Sequence, residues 1–353
     1  MQLATILRTA AVGATAAALV TLGLSAHAAQ PARAADTGAL PYSAATSVGV
    51  HNAYEKSVYP YLADALDSGA GMLELDVWTN AFGSGWRVGH NSPFTNNNNC
   101  AGATSEEQLR GGPRDKNLAG CLNDLRTWHE ANPGHRPIQL KFEMKDGFAA
   151  NLGRGPAQFD SLVNGILGDA LYRPGQATGG HATLDAGVRN DGWPSRDAMA
   201  GKFLIHLIPG TVEEGNPFDR LWTDVEYARH LRDLAAAGRL HTAAAFPAVH
   251  HAAAGDPRTG RYSDASLRPW FVVFDGAATD YVRPEIDTGW YTARHYLLVM
   301  TGAHAVAPPL DSRTPQEAEA LARIAQLAAE HASVASTDWS TLTGVLGTVL
   351  PRG

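Results

Sequence analysis

Eight short apolar runs, rich in β-branched or aromatic residues and separated by helix-like stretches, restrict this chain to very few folds. They are Thr46–Val50, Met72–Trp78, Ile138–Met144, Phe203–Ile208, Thr242–Val249, Phe271–Phe274, Tyr296–Met300 and Ser333–Ser336. The fifth, rich in Ala, has the weakest strand character. The predicted helices between them carry their own stop and start signals. Val58–Leu66 closes at Ser68-Gly69, Leu122–Ala131 stops at Asn132-Pro133, Asp219–Ala237 ends at Gly238, and Glu317–Ala332 follows Thr314-Pro315. Apolar strands alternating with helices build a parallel α/β sheet. Eight of them over about 300 residues fit a single (β/α)8 TIM barrel with long loop insertions. An open doubly wound sheet is the alternative, but no Gly-x-Gly-x-x-Gly follows the first strand.

The first 28 residues differ in character. A short positive start ending at Arg8, an apolar run from Thr9 to Leu24 and the small-residue triplet Ala26-His27-Ala28 describe a secretory signal peptide. The run is short for a spanning helix, which favours cleavage over a membrane anchor. The expected organisation is a signal peptide over 1–28, a flexible terminus over 29–42 and a barrel domain over 43–353, secreted to the extracellular space as a monomer. Charge bears on partners: 28 basic and 35 acidic residues give −7, and loss of Arg8 with the signal makes −8. That balance opposes nonspecific nucleic-acid binding, which rests on cations meeting phosphates. Past the signal, no stretch is long and apolar enough to span a bilayer. The two cysteines, Cys100 and Cys121, form one disulfide in an exported chain. A two-ligand metal site is the alternative, without Cys-x-x-Cys spacing to support it.

Chemistry-bearing residues gather at the ends of successive strands, where barrels place their active sites. His51-Asn52 follows the first strand. On the second, Glu74 and Asp76 are two apart and share one face, opposite Leu73, Leu75 and Val77. Two inward like charges are unfavourable unless a cation sits between them, and a hard divalent ion with oxygen ligands is the natural partner. One carboxylate paired to Lys or Arg is the plainer reading. His90 follows shortly after, within Gly89-His90-Asn91. On the third strand Lys141, Glu143 and Lys145 share a face. An internal Lys–Glu ion pair is the default there; the sharper reading gives Glu143 to the metal and both lysines to an anionic substrate. Two histidines can pass a proton between nucleophile and leaving group, while a divalent ion and lysines stabilise phosphate charge. Together they suit phosphodiester cleavage.

In this order the motifs resemble the phosphoinositide-specific phospholipase C group of barrel phosphodiesterases, most closely its calcium-dependent secreted bacterial branch. The resemblance runs over about residues 46–145 in motif order, and Ser336-Thr337-Asp338-Trp339 is similar to that branch's last barrel strand. It implies that Asn52, Glu74, Asp76 and Glu143 hold one Ca²⁺, with Mg²⁺ less favoured, and that His51 and His90 are the catalytic pair. It implies a phospholipid substrate at a membrane surface, cleaved to diacylglycerol and a cyclic or open inositol phosphate. His51 is the expected base, with Glu74 or Glu143 as alternatives. Lys141 and Lys145 are candidates for the substrate phosphate.

A glycerophosphodiester phosphodiesterase shares barrel, metal and histidines, but usually carries His-Arg-Gly where this chain has His51-Asn52-Ala53. A noncatalytic lipid- or carbohydrate-binding barrel requires both histidines to be incidental. Elsewhere, His250-His251 suggests a transition metal, yet adjacent histidines seldom converge on one ion without help. His304 is placed to touch substrate, and the Asn96–Asn99 run reads as a polar loop. Lipid contact requires apolar residues at the mouth, with Trp193, Trp290 and Trp339 as candidates, although such tryptophans are more often packed.

Overall fold

In the computed structural model, which describes residues 37–79, 85–95, 97–115, 117–219 and 221–353, eight parallel strands close on themselves. They are β1 (Ala45–Val50), β2 (Met72–Trp78), β4 (Ile138–Met144), β5 (Phe203–Pro209), β6 (Ala245–His250), β7 (Val273–Ala277), β8 (Leu297–Thr301) and β9 (Val334–Thr337). Strands β3 (Arg87–Val88) and β10 (Val349–Pro351) add antiparallel edges to β2 and β1. Around the barrel the order is β1-β9-β8-β7-β6-β5-β4-β2, and a β1–β2 pairing closes it.

The alternation of each strand sorts its residues between two environments. Leu73, Leu75, Leu140 and Phe142 face outward into the main core beneath the helices. Met72, on the face opposite to Leu73, instead joins Val299 and Val334 in a separate small cluster that floors the barrel. Gly49 borders that floor. A Cβ there would lie 2.8 Å from Met72 Cε and 3.0 Å from Val334 Cγ1, so only glycine fits. Above the floor the buried interior turns polar, with Gln139, Lys141, His206 and Asp275.

The observed helices include Leu62–Asp67, Leu118–Ala131, Pro156–Leu167, Leu184–Asp191, Thr223–Ala236 and Glu317–Ala329. The first begins later than its apolar pattern predicts, because residues 55–60 turn to follow the mouth. The last is capped by Gln316, which puts Pro315 before the cap and not at the first helical position. The Ala-rich strand also starts late, after a 3-10 turn at Leu240–Thr242. Pro156–Leu167 and Leu184–Asp191 were not expected, although Pro156 sits at a helix start.

Cys100 and Cys121 form a disulfide with Cα atoms 4.9 Å apart, tying the long insertion after β3 to the helix Leu118–Ala131. Asn98 and Asn99 are fully buried and hold backbone carbonyls of Val88, Ala53 and Tyr59. This part of the Asn run is therefore an internal clamp, not a loop exposed to water. The signal peptide expected over 1–28 lies outside the described residues. The flexible terminus expected over 29–42 is described from residue 37, and there it is pinned: Tyr42 donates to Pro194 O at 2.9 Å and Arg196 to Leu40 O at 2.9 Å.

Candidate active site

The site is assembled at the C-terminal ends of β1, β2, β4 and β9. His51 follows β1 and donates its backbone N–H to Thr337 O, the last residue of β9. Its Nδ1 lies 2.8 Å from Asp338 Oδ1, and its Nε2 lies 3.6 Å from Glu74 Oε2. With Asp338 at Nδ1 and Glu74 facing Nε2, each ring nitrogen is set against a carboxylate. Burial works against the charge on this ring, but Glu74 and Asp338 outweigh it and raise its pKa to about 9. Asn52 adopts a left-handed backbone, φ 52°, which asparagine tolerates better than most residues. The turn points its N–H at Glu74 Oε2, 3.4 Å away.

Strand register then decides which charges meet. Glu74 lies beside Lys141, and Asp76 beside Glu143. Lys141 reaches Glu74 at 3.2 Å and Asp275 at 3.1 Å, and it is buried. Its ammonium is thus engaged by two carboxylates inside the barrel. Lys145, higher on the same face, bridges Glu143 at 2.8 Å and Asp76 at 3.4 Å. Glu143 also accepts from the Thr211 N–H at 3.1 Å.

Glu74, Asp76 and Glu143 bring carboxylate oxygens within 4.8 Å of one another. Together with Asp275 they carry four negative charges against the two positive charges of Lys141 and Lys145. Two negative charges are left over, which is the deficit a divalent ion fills. Burial first, then Glu143 and Glu74, push the Asp76 carboxyl up to about 8. Asn52 Oδ1 and Asp76 Oδ1 are buried with no hydrogen-bond partner among the described residues. Buried polar atoms are seldom left so, and here both are oxygens beside the carboxylate cluster. The donor set Asn52, Glu74, Asp76 and Glu143 therefore fits a hard cation.

His90 occupies the insertion after β3. Its Nδ1 lies 2.8 Å from Glu55 Oε1, so this ring too is held by a carboxylate. Neither Glu55 nor Asp338 is assigned a role by sequence reasoning. Asp338 carries a usable signal, since it directly follows the last barrel strand as His51 follows the first; Glu55 carries none. His304, just after β8, keeps a buried Nδ1 without a hydrogen-bond partner among the described residues. Of the tryptophans considered for lipid contact, Trp193 and Trp339 are buried and Trp290 is largely packed. Trp193 also donates to His295 O ahead of β8, at the end of the barrel away from the site. The exposed apolar side chains are others. Phe94, Leu152, Val212, Phe218 and Leu221 lie in segments that follow β3, β4 and β5, Leu321 lies on the helix Glu317–Ala329, and Phe218 is 92% exposed.

Comparison with known proteins bears on what this arrangement does. Residues 113–226 match the family model of Ca²⁺-dependent phosphoinositide phospholipase C. A solved structure of a Ca²⁺-dependent phosphatidylinositol-specific phospholipase C from Streptomyces antibioticus is 64% identical, with a TM-score of 0.88, over 89% of this chain and 100% of that one. A calcium-dependent phosphoinositol-specific phospholipase C from Pseudomonas sp. is 22% identical, with a TM-score of 0.66, over 89% of this chain and 96% of that one, and shares the fold. No curated protein matches the chain.

Proposed function

The chain belongs to the Ca²⁺-dependent phosphoinositide phospholipase C family and is a phosphodiesterase of that kind; on that premise we propose that it cleaves phosphatidylinositol to diacylglycerol and an inositol phosphate, with His51 and His90 as catalytic residues. The observation that carries this assignment is the pairing of each imidazole with its own carboxylate at Nδ1, Asp338 for His51 and Glu55 for His90, beside an oxygen cluster short of two positive charges.

In this reading His51 accepts the proton of the inositol 2-hydroxyl at Nε2, while Asp338 steadies the ring and the charge it gains. His90 gives a proton from Nε2 to the departing diacylglycerol oxygen, with Glu55 in the same supporting place. Attack from within the headgroup yields a cyclic phosphate, which water opens with the two histidines exchanging roles. Asn52, Glu74, Asp76 and Glu143 would hold one Ca²⁺. When bound there, the ion supplies positive charge toward the phosphate oxygens and relieves the pull of Glu74 that otherwise keeps His51 protonated. Lys145, buried like Lys141, balances Asp76 and Glu143. Lys141 is a positioning residue that fixes Glu74.

All these groups come from one chain, so the reading needs no second copy, and we take the secreted monomer as the working form. Among the described residues no helix is long and apolar enough to cross a membrane. The apolar rim at Phe94, Leu152, Val212 and Phe218 would rest the mouth on a lipid surface. Turnover of phosphatidylinositol in detergent micelles tests the assignment. His51→Ala and His90→Ala are each expected to lower kcat about 10²–10⁴-fold while calcium affinity changes little. Full turnover by either variant would remove that histidine from the mechanism.

A further inference from the structure

A second cluster of metal-binding side chains lies on the same mouth, outside the machinery described above. His250 is the last residue of β6 and His251 follows it. Glu214 ends the short helix Thr211–Glu214 that follows the neighbouring strand β5. Glu214 Oε1 lies 3.1 Å from His250 Nδ1, Glu214 Oε2 lies 3.2 Å from His251 Nε2, and the three ligand atoms all fall within 4.8 Å of one another. The help that adjacent histidines need to converge on one ion thus comes from an adjacent strand.

Three features separate this cluster from an ordinary histidine–carboxylate contact. His251 holds a left-handed backbone, φ 73°, which histidine and asparagine adopt more readily than most residues, and its N–H donates to Asp275 O at 2.8 Å. That backbone turns its ring onto His250, with centroids 3.9 Å apart and planes 28° apart. Stacked imidazoles this close repel if both are protonated, and one carboxylate neutralises only one of them. Arg261 does not supply the missing balance. It is itself a cation, 3.6 Å from Glu214, and is held mainly by Asp224 at 2.7 Å. Finally, His250 and His251 open on a cavity of about 220 Å³ also lined by Asp256 and Arg261, with room for a water as a further ligand.

We propose that Glu214, His250 and His251 bind a transition-metal ion of the Zn²⁺ class, at a site separate from the calcium cluster. A tetrahedral ion with bonds of about 2.0–2.1 Å places its ligand atoms roughly 3.3 Å apart, inside the 4.8 Å within which the three ligand atoms lie here. Two imidazoles and one carboxylate with an open fourth position are a donor set that zinc takes in proteins. Imidazole nitrogen suits Zn²⁺, Ni²⁺ and Cu²⁺ and does not suit Ca²⁺, whereas the oxygen cluster has the opposite preference. The two sites share one element. The helix that ends at Glu214 starts at Thr211, whose N–H is held by Glu143. Nothing in this assignment depends on the phosphodiesterase reading.

Isothermal titration of Zn²⁺ into the calcium-saturated full chain near neutral pH is the test. The expected result is one Zn²⁺ per chain at micromolar affinity, with proton release as the imidazoles shed protons. His251→Asn, which keeps a residue tolerant of the left-handed backbone, and Glu214→Gln should each weaken binding by about tenfold or more. Circular dichroism establishes that each variant is folded, and Co²⁺ in place of Zn²⁺ gives visible bands that both variants lose. No zinc uptake would overturn the proposal. So would zinc that competes with calcium, or affinity that either folded variant leaves within about twofold of the parent.

Discussion

Each histidine of the proposed catalytic pair has a carboxylate at Nδ1, which under that proposal fixes the face each ring leaves free to act. His51, Asn52, Glu74, Asp76 and Glu143 were singled out because each follows a strand or alternates along one, whereas His90 follows β3, which the pattern did not show. Asp338 and Glu55 were not assigned: Asp338 had the signal of directly following the last strand, but no spacing marks Glu55 or links either to its histidine. The buried carboxylates give a test with a definite sign. Asp76 rises from an ordinary 3.8 to about 8 in the ion-free fold. Between those values the folded chain keeps a proton there that the unfolded chain has lost, so this group's stabilisation falls as pH rises from about 4 to about 8. In chelator, the parent should therefore lose more stability across that interval than Asp76→Asn, and calcium should reduce the difference. Identical pH profiles by thermal melting would contradict the cluster's like-charge strain.

At the scale of elements, strand periodicity located all eight barrel strands, because parallel strands buried on both sides read as apolar runs. It missed β3 and β10, two and three residues long, whose pairing is set by the elements they edge. The lysines show where pattern stops being sufficient. Period two put Lys141 and Lys145 on one face, but only the fold set their partners, Lys141 beside Glu74 by register and Lys145 against Asp76 and Glu143, both lysines buried. The apolar rim was likewise placed on the wrong residues. Tryptophans bury well, so they packed, and the loops after β3, β4 and β5 carry the exposed side chains instead. Phe218→Ser should lower binding to phosphatidylinositol vesicles about tenfold or more, as expected for one aromatic side chain removed from lipid. Its turnover of a water-soluble cyclic inositol phosphate should stay near that of the parent. Equal losses on both substrates would argue against the rim as a docking surface.

Across the whole molecule, one polar chain climbs the barrel from its floor to its mouth. Gln139 meets His206 at 3.0 Å, His206 meets Asp275 at 3.4 Å, and Asp275 meets Lys141 at 3.1 Å. Lys141 meets Glu74, and Glu74 faces His51. Lys141 and His206 hold the Asp275 carboxyl well below the usual range, against the effect of burial. Asp275→Asn leaves the Lys141 ammonium short of a partner in the interior and should destabilise the fold by about 3–5 kcal/mol in denaturant unfolding. A loss below about 1 kcal/mol would show that the chain is not what braces Glu74. The account as a whole turns on whether the leftover negative charge at the mouth is filled by calcium for phosphodiester cleavage. Phosphorus NMR of the protein with phosphatidylinositol micelles, run with Ca²⁺ and again with chelator, tests this most directly. An inositol phosphate signal that grows only with calcium is the predicted result; no conversion in either sample, or equal conversion in both, would contradict it.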